Sequence, residues 1–185
     1  MIGLTILGVI VVLLAVFLIS VYNNLVQLRQ RVQNSWAQVD VQLKRRYDLI
    51  PNLVGAVKGY AQHEKSTLES VTQARNMAMN ARNIQEQMQA ENMLTGALRS
   101  LFAVAEAYPE LKANANFMQL QAELTDTESK IAYARQFYND TVQKFNTKLE
   151  LFPTNLVAGL LGFAMVDYFN LQGEPNARQA VKVEF

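Results

Sequence analysis

The chain has 185 residues, a formal net charge of +1, no cysteine and one histidine, His63. That length suits a single helical or mixed domain once any apolar leader is set aside. The absence of cysteine excludes disulfides, zinc–thiolate sites and iron–sulfur clusters, and a charge near zero offers no basic field to attract nucleic acid.

The first element is an unbroken apolar run from Ile2 to Tyr22, and no charged side chain precedes Arg29. Its length matches the ~20 residues that carry a helix across a bilayer core. A cleaved signal peptide fits less well. It would need a basic start, a shorter apolar stretch of ~7–15 residues and a small-x-small cleavage site. A buried core helix this apolar on every face would need a shell all round it. Residues 1–23 are therefore read as a transmembrane anchor, 24–151 as a helical bundle and 152–185 as an apolar C-terminal helix with a tail. Downstream of the anchor lie Arg29, Arg31, Lys44, Arg45 and Arg46, with only Asp40 before Asp48. Positive residues stay on the cytoplasmic side, which predicts the N-terminus outside and the bundle in the cytoplasm of a bacterial inner membrane.

The anchor is followed by apolar residues at helical spacing: Leu25, Leu28, Val32, Trp36, Val39, Leu43, Tyr47, Ile50, Val54 and Val57. Steps of three and four mark one buried helix face. No turn signal separates Tyr22 from Leu25, so anchor and first bundle helix are expected to be continuous, roughly 85 Å from Gly3 to Tyr60 at the α-helical rise. Pro51 inside this stripe predicts a kink. Gly59 and the polar stretch from Gln62 to Ser66 predict a turn, with Ser66 and Glu69 as a capping box for a second helix over about Thr67–Asn83. That helix would bury Leu68, Val71, Ala74, Met77 and Ala78. A third uses Met88, Leu94, Leu98, Leu101, Phe102 and Ala105 and ends at Tyr108-Pro109. The fourth carries Phe117, Leu120, Leu124, Thr127, Ile131, Ala134, Tyr138, Val142, Phe145 and Leu149, close to a coiled-coil period, and stops at Phe152-Pro153. The tail Val181–Phe185 alternates, but five residues are too few to define a strand. The fold class is all-α: four long antiparallel helices plus a short apolar C-terminal helix, joined by short loops.

Little in the chain offers chemistry. His63-Glu64 opens like a zinc-protease motif, but Thr67 stands where the second histidine is needed. A di-iron bundle needs two Glu-x-x-His motifs. Phosphate-binding glycine loops and nucleophile elbows are absent. No catalytic residue, cofactor or metal ligand is expected, and the chain is read as a non-enzyme.

Two stretches point to contacts. Lys44, Arg45 and Arg46 form either a solvated face with local ion pairs or a contact for a partner or neighbouring subunit. Lipid headgroups are disfavoured there, because Arg45 lies roughly 35 Å beyond the anchor on an upright helix, several Debye lengths of ~8 Å. Thr154–Phe169 is apolar almost throughout and too short to span a bilayer. It would dock on its own bundle, on another subunit or in a membrane interface. Leu156, Leu160, Leu161 and Phe163 are its candidate contact residues, and charges at Leu160 and Leu161 are expected to abolish large assemblies if the chain self-associates through them. Asn23, Asn24, Asn34, Asn114, Asn116, Asn139 and Asn146 lie on or beside the stripes. They either face water or pair as buried amides that set register.

Several long strings together resemble the LemA family over nearly the whole chain. They are Tyr22-Asn23-Asn24-Leu25-Val26 after the anchor, the run Ala37–Val54 that contains Lys44-Arg45-Arg46-Tyr47-Asp48-Leu49-Ile50-Pro51-Asn52-Leu53, the stretch Val57–Ala61 with His63-Glu64, Ala103–Asn114, Glu128–Arg135, Tyr138-Asn139 and Phe152-Pro153-Thr154-Asn155. The resemblance implies a single-anchor bacterial inner-membrane protein with a helical bundle and no catalytic site. It also implies company: some members shape internal membranes, as in magnetosome formation, and others neighbour membrane quality-control proteases. Two functions follow as expectations. One is a self-assembling, homo-oligomeric protein that organises or remodels the bilayer. The other is an envelope-stress or signalling adaptor that presents its bundle to a membrane protease or another membrane protein.

Overall fold

The computed structural model describes residues 2–61 and 63–170. The alternating tail from Val181 to Phe185 lies outside the described residues. Among those described there is no strand, and the helices are α1 (Ile2–Tyr60), α2 (Lys65–Met79), α3 (Ile84–Glu106), α4 (Pro109–Lys112), α5 (Ala115–Glu150) and α6 (Asn155–Ala158). The all-α architecture of four long helices is as expected. α1 continues from the apolar run into the bundle without interruption and passes through Pro51 as one helix.

Two compact units share α1 and α5. One comprises residues 1–40 and 133–168. In it Trp36 and Tyr138 meet edge to face at 5.2 Å. The other comprises residues 41–132 with Phe169 and Asn170. Here α1, α2, α3 and α5 form an up-down-up-down bundle around Leu43, Ile50, Leu53, Val57, Val71, Leu94, Leu101 and Phe117, all buried. A fully buried leucine or isoleucine contributes about 1.5–3 kcal/mol relative to exposure, so this interior is the main source of stability.

The predicted stripes are the buried ones, with local departures. Met77 on α2 is exposed, while its neighbours Leu68, Val71, Ala74 and Ala78 are covered. α2 begins at Lys65 behind Glu64, with no side-chain cap, so Ser66 does not form the expected capping box. Capping belongs instead to Asn83, which accepts from the Glu86 N–H at 2.8 Å at the start of α3, and to Asn114, whose Oδ1 accepts from the Phe117 N–H at 3.1 Å at the start of α5. Both satisfy an orphan donor of a first helical turn. Pro109 opens the single turn of α4, where its missing N–H costs nothing.

The C-terminal helix expected over Thr154–Phe169 is a correction. Only Asn155–Ala158 are helical, and the chain then runs as an irregular strap to Asn170. Gly159 follows the single turn, and Gly162 takes φ +75°, a left-handed conformation that ends a helix and favours glycine. One turn after a proline is also too short to nucleate a stable helix on its own.

Candidate functional site

Three features of the structure bear on function: the apolar start of α1, a buried charged network in the bundle, and the strap after α5.

The start of α1 is apolar and uncovered. From Ile2 to Ser20 all residues are exposed except Phe17, which is half-buried. Leucine, isoleucine and valine side chains on every face of a helix cannot be left in water at this density. The segment is long and apolar enough to cross a membrane.

In the bundle, the phase of α1 carries Arg46 inward. Leu43, Arg46 and Ile50 follow one another at steps of three and four, and Arg46 is only 1% exposed. This corrects the expected contact patch, because Arg46 is not on the surface; Lys44 and Arg45 are. Its Nη1 lies 2.7 Å from Glu91 Oε2, and Nη2 donates to Thr95 Oγ1 at 3.0 Å. Nε is 2.8 Å from Glu128 Oε1, an ion pair whose angle falls short of a hydrogen bond. Glu91 is completely buried. Its Oε1 accepts from the Tyr47 hydroxyl and, at 2.9 Å, from Gln87 Nε2. Gln87 also donates to Tyr47 Oη at 2.7 Å. Burial, reinforced by the adjacent Glu91 carboxylate, holds the Tyr47 phenol protonated far above its ordinary range. Burial likewise raises Glu128, against the pull of Arg46 and with the push of Glu91. Nothing in the sequence reading singled out Glu91. The available signal was a gap in the third helix's stripe, where Glu91 occupies the position three residues before Leu94 and seven before Leu98.

One turn along, Pro51 explains another buried contact. A helical residue at 51 would donate its N–H to the carbonyl of Tyr47, and proline has none. Arg75 from α2 supplies the missing donor, its Nε reaching the Tyr47 carbonyl at 2.7 Å. The unbroken helix at Pro51 thus comes with a replacement partner for the freed acceptor.

The Arg46–Glu91 centre of the network is buried and its carboxylate is occupied by Arg46, Tyr47 and Gln87. A groove of about 850 Å³ between α1 and α2 is lined by Val54, Lys58, Leu68, Glu69, Thr72 and Met77 among others, without a paired acid and base. Among the described residues no group of three or more metal-ligating side chains converges.

The strap lies along α5 in the unit of residues 2–40 and 133–168. Asn146, 8% exposed, clamps Val166 through both backbone groups: its Nδ2 donates to the carbonyl at 2.9 Å and its Oδ1 accepts from the N–H at 3.0 Å. Tyr138 donates to the Asp167 carbonyl at 3.0 Å. Burial and the Asp167 charge push the Tyr138 phenol up to about 12. Phe163 is buried against Tyr22 at 5.8 Å and Phe145 at 6.5 Å, with the Arg29 guanidinium 5.2 Å over its ring. Phe163 is therefore an intramolecular anchor and not an open contact residue. Leu156 and Leu160 are exposed, Leu161 is half-buried, and Ala158 is covered. Of the asparagines, Asn146 pairs with backbone and not with another amide, and Asn114 also donates to Tyr60 Oη at 3.0 Å. Asn23, Asn24, Asn34 and Asn116 are exposed.

These features define a helical-bundle protein with an N-terminal apolar anchor segment and no assembled reaction centre among the described residues. The pattern of the LemA family matches residues 35–185, and the chain belongs to that family. It is 29% identical over 151 residues to Protein LemA of Metamycoplasma hominis, covering 80% of this chain and 68% of that protein. It is 24% identical over 174 residues to Magnetosome protein MamQ 2 of Paramagnetospirillum magneticum, and 23% identical over 175 residues to Magnetosome protein MamQ of Magnetospirillum gryphiswaldense. Each of those matches covers 80% of this chain and 64% of the relative. The chain thus spans about two thirds of the length of these relatives, whose names are not those of enzymes.

Proposed function

We propose that the chain is a non-enzymatic, membrane-anchored protein of the bacterial inner membrane that self-assembles and organises or remodels the bilayer. The observation that carries this reading is the continuity of α1: the exposed apolar stretch passes into the packed bundle with no break. Relatives named as magnetosome proteins support a membrane setting, and the positive residues after the span favour a bundle in the cytoplasm. Exposed aromatic side chains on α5, Tyr133 and Phe137, offer an apolar face for a second copy.

The test is the size of the particle extracted from membranes in mild detergent, by mass photometry and electron microscopy. A large regular multimer with its spans gathered on one side is the expected result. A monomer or dimer would overturn self-assembly and favour an adaptor, with Lys44 and Arg45 as the first face to examine. Arg45 lies 3.8 Å from Asp126, with both side chains about half exposed, a pairing weak enough for a partner to displace.

A further inference from the structure

The turn after α5 is apolar, uncharged and uncovered. Between Glu150 and Asp167 the sequence carries no charged residue. Phe152 is 78% exposed and Leu160 87%, and Leu151 and Leu156 are also more than half exposed. A short turn with four bare apolar side chains in water needs an occupant.

The register of α5 on α1 says where this turn sits. Trp36 faces Tyr138 across the antiparallel pair. Going fourteen residues back along α1 from Trp36 reaches Tyr22, and fourteen forward from Tyr138 reaches Phe152. α5 ends at Glu150, just short of that level, and Phe152 in the turn comes level with Tyr22, the last residue of the apolar run. Two contacts agree. Phe163, just after the turn, packs on Tyr22 and Arg29. On α1, Val21 is buried and Phe17, one helical turn deeper into the run, is half-buried, while the rest of the run up to Ser20 is bare.

We infer that the turn of residues 151–161, through Leu151, Phe152, Leu156 and Leu160, is a second membrane contact that dips into the bilayer interface beside the span. It rests on the reading of residues 2–22 as the anchor. The occupant is lipid because the turn is continuous with a surface that already faces lipid. The tip gains by burying Leu151, Phe152, Leu156 and Leu160 in the acyl boundary, and at interface depth Asn155 and the free backbone groups keep their hydration. The arrangement gives each chain a span and an adjacent wedge in one leaflet, held together by Phe163, Asn146 and Tyr138.

The natural absence of cysteine allows a direct test. Single cysteines replace Leu160, Leu13 and Gln143 in the full chain, each spin-labelled and reconstituted in phosphatidylcholine vesicles. Collision with oxygen and with a water-soluble nickel chelate is then measured. The Leu13 position reports the span, and Gln143, exposed on α5, reports water. The expected result is a shift of the Leu160 label from the water-like accessibility of Gln143 towards the lipid-like accessibility of Leu13. A water-like label at Leu160 with a lipid-like label at Leu13 would overturn the inference and leave the anchor intact. A water-like label at Leu13 would remove the anchor, and the inference with it. Protection of Leu160 from both reagents, with spin–spin broadening, would assign the turn to a second copy and likewise overturn it.

Discussion

At the scale of single residues, Arg46 and Glu91 form the fully buried charged pair of the bundle. Two opposite charges lie out of water 2.7 Å apart, with only an ion-pair contact at Arg46 Nε, and such a pair adds little net stability compared with apolar residues of the same volume. Removing one partner is different. Arg46→Ala should strand a buried carboxylate and destabilise the bundle by roughly 3–5 kcal/mol. Arg46→Met combined with Glu91→Leu should recover most of that loss. Denaturant unfolding of the full chain, followed by circular dichroism, measures both; an Arg46→Ala variant as stable as the parent would show that Glu91 does not depend on it. Glu128 behaves in the opposite sense. Its carboxyl is raised above the usual range by burial, so its favourable contribution is present below the unfolded value of about 4.3 and is lost as pH rises through the raised folded value. Glu128→Gln should therefore match the parent in acid and exceed it slightly at neutral pH. The gain should stay under about 1 kcal/mol, because the side chain is 41% exposed and solvent screens it. Thermal melts from pH 4 to 8 decide the sign. The inward phase of Arg46 was legible in the sequence, since it shares the stripe of Leu43 and Ile50. Its flanking Lys44 and Arg45 disguised it as surface. Glu91 was not legible, because nothing local says which of two helices a lone carboxylate on a stripe will face.

At the scale of elements, helix faces were read correctly because the 3.6-residue period is a local property. The C-terminal segment was not, because the same apolar composition serves a helix or a strap. What decides is whether its backbone finds partners outside itself. Here Asn146 and Tyr138 on α5 provide them, and Gly162 provides the turn. From its spacing alone Asn146 was one of seven asparagines that either face water or pair as buried amides. Its two hydrogen bonds to Val166 make it the clamp of the strap. Asn146→Ala should leave both backbone groups of Val166 unsatisfied, at a cost of about 1–3 kcal/mol. The loss should be local: amide exchange should accelerate between Phe163 and Tyr168 while α3 keeps its protection. Uniform acceleration across the chain would show instead that strap and bundle unfold together.

At the scale of the whole molecule, one helix carries both the uncovered apolar stretch and the first packed stripe of the bundle. On the proposed reading of residues 2–22 as a span, anchoring would fix each copy in one plane and one orientation and so remove part of the entropy that association in solution must overcome. A small face can then suffice for assembly. Tyr133 and Phe137, one helical turn apart and exposed, form such a face on α5. Neither is part of the packed stripe of Ile131, Tyr138 and Val142, so replacing them does not disturb the interior. Tyr133→Gln with Phe137→Gln should therefore leave unfolding within about 0.5 kcal/mol of the parent, as surface changes do. The same double change should reduce the particle extracted in mild detergent to smaller species. The sequence could not point to this face, because a stripe of apolar residues does not state whose surface it will cover, and two aromatics beside it are indistinguishable from its edge. An unaltered particle from the double variant would exclude the α5 face as the interface. A smaller particle with unchanged stability would place the subunit contact on α5.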